Sequence, residues 1–203
     1  MIRLRLETDL TVSEPNENEG LVVRWRGTVV RDHDDELRED VIGSFRASVI
    51  HYGFALDVGV RLDDIMDGAL VPLHNAVFNE GGWLRDDFDD ASGTALLYID
   101  EIDLANEWRE RLVDLGVVRR LAETLGQGCS LVVLNSSEAR RATEWARIGF
   151  VITREPDEPF LVLNLSERTP HVRAGFDRFE VVPAPRPEVP SEGLGERLRE
   201  GHN

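Results

Sequence analysis

The run ALLYIDEIDL (95–104), NEWRERLVDLGVVRRLAETL (106–125) and SLVVL (130–134) decides the fold of this chain. The first segment is apolar and β-rich up to Ile99, then alternates, which predicts a strand over Ala95–Leu104. In the second, Leu112, Leu115, Val118, Leu121 and Leu125 recur at helical spacings of three and four. Gly126-Gln127-Gly128 stops that helix. The third is short, apolar and unbroken, as a strand buried on both faces must be. A further helix follows over 137–148, closed by Gly149, and two short strands over 150–153 and 160–165 flank a Glu-Pro-Asp-Glu-Pro turn. A strand–helix–strand–helix order predicts a partly parallel sheet with covering helices, an α/β (α+β mixed-sheet) class.

Upstream, residues 2–8 alternate as a strand, 13–20 form a polar turn, and LVVRWRGTVV (21–30) and VIGSFRASVIHY (41–52) are strand-like, the latter bulged near Gly43. Ile65, Ala69, Leu73, Ala76 and Val77 predict a helical stretch over 63–79; Pro72 either kinks it or marks a second helix starting just before. Downstream of Ser166 the periodicity fades, and Pro183, Pro185, Pro187 and Pro190 mark an extended segment. The expectation is one domain over 1–165 and a loosely packed or mobile extension over 166–203.

Acidic residues outnumber basic ones by 39 to 23, for a net charge of −16, and every basic side chain except histidine is arginine. A field this negative repels phosphate backbones and anionic bilayers, so neither nucleic acid nor membrane is expected as a partner. No apolar run approaches the roughly 18 residues of a membrane span. Met1 leads straight into the first strand pattern, and Cys129 is the single cysteine. A reducing cytoplasm is the expected setting. The five histidines show no metal-ligand spacing among themselves or with Cys129. Asp86 to Asp90 lacks the central glycine and twelfth-position glutamate of a calcium loop, so no metal is expected.

The stretch from 95 to 150, ending in ATEWARIGF, resembles the GNAT (N-acetyltransferase) superfamily. There a strand presents backbone groups to the pantetheine arm of acetyl-CoA, a glycine-rich loop opens a helix, and a later helix closes in Gly-Phe, here Gly149-Phe150. The resemblance implies a GNAT-like fold whose cofactor-core half spans 94–165. It implies backbone contacts from Ile102 and Leu104, and a phosphate loop at Arg109, Glu110, Arg111, Leu112, Val113 and Asp114. It also implies a catalytic group on the strand, with Tyr98, Glu101 and Asp103 as candidates. Glu101 and Asp103 share a face, alternating with Ile102 and Leu104, and a carboxylate there would take the proton of an amine substrate, small molecule or protein.

Where the family often has Arg-Gly-Arg-Gly-Leu-Gly, this chain has Arg109-Glu-Arg-Leu-Val-Asp114. A diphosphate needs backbone N–H groups at a helix N-terminus and glycines that let it approach. Each carboxylate within about 5 Å of it would cost about 1–3 kcal/mol. Asn106 is a good N-cap residue and offers another local structure, plain helix in place of the loop. The tyrosine that often acts as general acid is replaced by Trp145, and an indole N–H is a far weaker acid than a phenol. Two functions are therefore expected: an N-acyltransferase with an altered, weakened acetyl-CoA site, or a non-catalytic binding module of the same fold that meets a protein partner or a second copy of itself.

Overall fold

The protein is described by a computed structural model covering residues 1–8, 20–33, 38–57, 70–88, 90–153, 159–167, 169–175 and 178–184. The strands are β1 Ile2–Thr8, β2 Val22–Asp32, β3 Glu39–Ile50, β4 Ala95–Leu104, β5 Cys129–Leu134, β6 Val151–Ile152, β7 Leu161–Asn164, β8 His171–Ala174 and β9 Phe179–Val182. The helices are α1 Tyr52–Asp57, α2 Leu70–Val77, α3 Asn106–Glu110, α4 Val113–Leu125 and α5 Ala142–Ala146, with 3-10 turns at Asp86–Phe88 and Ser136–Arg141. No helix among the described residues is long and apolar enough to cross a membrane.

Seven strands form one mixed sheet in the order β1-β2-β3-β4-β5-β7-β6. Every neighbouring pair is antiparallel except β4–β5, which α3 and α4 connect as a parallel crossover. The protein is thus α/β with a mixed sheet. One sheet face packs Phe45, Leu97, Ile99, Ile102 and Leu104 beneath Leu115, Val118 and Leu121 of α4. The other packs Leu96, Tyr98, Leu131 and Val133 beneath Leu70, Leu73 and Val77 of α2. All six residues of β5 are buried, which is why its sequence lacks alternation.

The expected bulge near Gly43 is present, because Val29 pairs with Gly43 while Val30 pairs with Val41. The described part of helix α2 runs from Leu70 to Val77 and includes Pro72. The turn expected at 13–20 and the first part of the helix expected over 63–79 lie outside the described residues, apart from Gly20. The helix expected over 137–148 is a 3-10 turn followed by the five residues of α5.

The carboxyl extension is not loose throughout. β8 and β9 form a hairpin that packs on α4. The Phe179 ring leaves no space for a Cβ at Gly116, which would lie 2.8 Å from it, and the Phe179 amide donates to the Arg111 carbonyl at 2.8 Å. Val172, Phe179 and Val181 supply the apolar contact. Four-residue strands carry too short a pattern to stand out beside the prolines. Pro183 is described; Pro185, Pro187 and Pro190 lie outside the described residues.

Candidate functional site

β4 outruns β5. Their ladder ends at Ile99 opposite Leu134, and β4 continues to Leu104 with no described strand paired on that side. The divergence opens a cleft of about 360 Å³ lined by Arg46, Asp100, Glu101, Asp103, Arg109, Asn135, Glu138 and Arg140, among others.

A second bulge orders the side chains here. Arg46 pairs with Glu101 and Ala47 with Ile99, so Asp100 is the extra residue of β4. Strict alternation would send Tyr98 to the face opposite Glu101 and Asp103. The bulge instead puts all three on one face, with Ile102 and Leu104 turned into the core. Tyr98 itself is buried: its hydroxyl accepts from Asn135 Nδ2 at 2.9 Å, and the same amide donates to Asp100 Oδ1 at 3.3 Å. Glu101 and Asp103 are exposed on the cleft wall. Arg46 bridges Asp100 at 3.0 Å and Glu101 at 2.9 Å. Of the three catalytic candidates, only the two carboxylates are open to a ligand.

The segment expected to hold phosphate is neither a glycine loop nor a plain helix. Helix α3 lasts one and a half turns and has no side-chain cap; Ala105, not Asn106, occupies its N-cap position. The chain then breaks at Leu112, which adopts a left-handed conformation (φ 59°, ψ 28°), the only positive φ among the described non-glycine residues. Leu112 is one of the positions at which the resemblance expects glycine, and its backbone takes a conformation that glycine favours. Left-handed backbone costs a leucine about 1–2 kcal/mol. Its side chain is buried in the core beneath α4, and truncating such a leucine costs about 2–5 kcal/mol. Burial wins, so Leu112→Gly should lower stability by about 1–3 kcal/mol, read as a lower urea midpoint at unchanged slope. An increase would show that strain dominates at this position.

Arg109 turns back on the strand. Its Nε donates to the Leu104 carbonyl at 3.2 Å, one Nη to the Ile102 carbonyl, and the other Nη meets Glu138 at 3.1 Å. Glu138 also accepts the Trp145 indole N–H at 3.1 Å and lies 3.5 Å from Arg141. Arg141 in turn pairs with Glu144 and with Asp114, whose side chain is 0% exposed. The result is a chain of ion pairs, Arg109–Glu138–Arg141–Asp114, running from the edge of β4 to the first turn of α4. Burial pushes the Asp114 carboxyl above the ordinary aspartate range, against the pull of Arg141 and of the Leu115 amide, which donates to it at 3.0 Å.

Of the remaining loop positions, Glu110 is exposed and Val113 is buried. Arg111 and Arg31 both lie over the Trp108 ring, 5.3 and 5.4 Å from its centroid. Trp108 belongs to the core under α4, and Arg109 rather than Trp108 lines the cleft. The sequence alone did not single out Glu138 or Arg141; their spacing of three on one 3-10 turn was the available signal. Among the described residues no group of three or more His, Cys, Asp or Glu side chains is placed to hold a metal ion. Cys129 is buried, which pushes its thiol up to about 11. Scans of protein-family models, curated proteins and solved structures found no match to this chain.

Proposed function

We infer that this chain is a GNAT-like protein that has given up acetyl-CoA and works as a non-catalytic binding module. One observation carries that inference: the Arg109 guanidinium sits on the carbonyls of Ile102 and Leu104, the strand groups to which a pantetheine arm would bind. Seating the cofactor would break two charge-assisted hydrogen bonds and leave Glu138 with one cation fewer. A diphosphate at the start of α4 would meet Asp114, a carboxylate already in place beside the helix's own amides. Trp145, which stands where the family often has its general acid, is fully buried and donates to Glu138. The ordered strand–helix–strand–helix core ending in Gly149-Phe150 supports the resemblance, and the net charge of −16 suits a cationic protein partner.

Thermal unfolding with and without acetyl-CoA tests this directly. A cofactor at a hundred times its dissociation constant adds about 2.7 kcal/mol, or about 5–10 °C for a chain of this length. No shift is expected at millimolar acetyl-CoA, and a rise of that size would overturn the proposal. Glycine at 110, 112 and 114 with Arg109 retained should also leave the protein unresponsive, because the guanidinium still covers the strand. If that variant folds and binds, Arg109 is not the obstacle.

The second reading, an N-acyltransferase with an altered acetyl-CoA site, rests on Glu101 and Asp103 facing the cleft from one strand. It requires acetyl transfer to an amine and therefore fails with the same cofactor measurement.

A further inference from the structure

The two edges of the main sheet differ. β6 ends one side with two residues, whereas β1 ends the other with seven, and no described strand pairs with its outer edge. The direction of its backbone groups follows from its first residue. The Met1 amine donates to the Asp32 carbonyl at 3.0 Å and the Asp32 amide donates back to the Met1 carbonyl at 2.8 Å. Such an exchange marks a hydrogen-bonded antiparallel pair, so odd residues of β1 turn their N–H and C=O toward β2. Ile2, Leu4, Leu6 and Thr8 therefore aim theirs outward, away from the sheet.

The side chains along this edge complement themselves. Arg3, Arg5 and Glu7 are exposed on one face; Ile2, Leu4 and Leu6 lie half-buried on the other, packed against the core beneath α4. When the strand is set antiparallel to a copy of itself about Arg5, Arg3 falls opposite Glu7 of the copy, twice. Both are non-hydrogen-bonded pairs, the type that brings side chains closest. Leu4 falls opposite Leu6 of the copy, also twice, and the half-exposed apolar stripe doubles in length. The four outward residues of each strand supply about eight main-chain hydrogen bonds. Arg5 meets its own image on the axis, and each Arg5 is held at 2.8 Å by Glu39, which offsets the like charge. Glu7 has room for a further cation, since its contact to Arg26 is 3.6 Å and both side chains are more than half exposed. Shifting the axis to Leu6 would place Arg5 opposite Glu7 but would pair two fewer residues; shifting it to Leu4 would oppose Arg3 with Arg5.

We propose that the outer edge of β1 is a self-association surface, and that two copies join there antiparallel about Arg5 into one continuous sheet. An exposed seven-residue edge otherwise invites indiscriminate pairing, and this register directs it to a single partner. The surface lies at the far end of the sheet from β5 and does not depend on the acyl-CoA resemblance.

Light scattering on a size-exclusion column tests it with the full chain. The wild-type protein should run at twice its 22.9 kDa monomer mass. Glu7→Arg alone and Arg3→Glu alone should each run at the monomer mass, because each opposes like charges twice. An equal mixture of the two variants should regain the doubled mass, since both cross-strand contacts are then Arg against Glu. Glu7 is exposed with a single loose contact, so circular dichroism of Glu7→Arg should match the wild type; Arg3 also bridges Asp32 at 2.6 Å and Glu39 at 2.5 Å, and if Arg3→Glu loses structure the mass of Glu7→Arg decides alone. A wild-type monomer up to the solubility limit, single variants that stay dimeric, or a mixture that stays monomeric would each overturn the proposal.

Discussion

Replacing Arg141 by methionine should lower the unfolding free energy by about 3–5 kcal/mol. For a chain of this length that is a fall of about 6–20 °C in Tm. The guanidinium pairs with Asp114, whose side chain is fully enclosed, and with Glu144, while lying 3.5 Å from Glu138 and over the Trp145 ring at 5.6 Å. Without it Asp114 keeps only the Leu115 amide, and an enclosed carboxylate with one donor is poorly compensated. The sign of the pH dependence follows. Burial already raises the folded pKa of Asp114 above its unfolded value near 4, and losing the cation raises it further. A raised carboxyl pKa contributes stability that is present below the unfolded pKa and lost as pH rises through the folded one. The deficit of Arg141→Met relative to wild type should therefore shrink on acidification toward pH 4 in urea titrations. A deficit that stays constant with pH would assign the loss to packing instead.

Trp145→Ala should cost a similar amount, about 3–5 kcal/mol, because it empties a site that is 0% exposed and holds one of the largest enclosed side chains. The ring meets Phe150 edge-on with centroids 5.9 Å apart, and its N–H donates to Glu138. Trp145→Phe should restore most of the loss, since Glu138 keeps both arginines. A phenylalanine variant as damaged as the alanine one would mean that the indole N–H matters more than the ring. Trp145 and Arg141 touch, so the double variant should not show the sum of the two losses.

Strand β4 was legible in the sequence to its last residue, and β5 to within one, because apolar runs bounded by glycine and polar residues have few other structures. The break at Leu112 was hidden: nothing in a leucine announces left-handed backbone, and the packing that imposes it comes from elsewhere in the chain. Arg109 and Asp114 were expected as phosphate-loop positions only through the resemblance to the GNAT superfamily. That they are consumed by Glu138 and Arg141, residues 29 and 27 positions away, is a tertiary fact that no local pattern encodes. The hairpin of β8 and β9 was missed for the same reason, since its apolar residues make sense only against α4.

The extra residue at Asp100 means that β4 is out of phase with itself. Ala95, Leu97 and Ile99 face α4 from odd positions, Ile102 and Leu104 from even ones. At the present length, pairing to β3 made regular would rotate one block by half a turn. Glu101 and Asp103 would then enter the apolar interior while Ile102 and Leu104 met water. Deleting one residue between the two sets would instead let regular pairing keep both in phase, so homologous sequences should either carry the bulge at position 100 or lack that residue altogether.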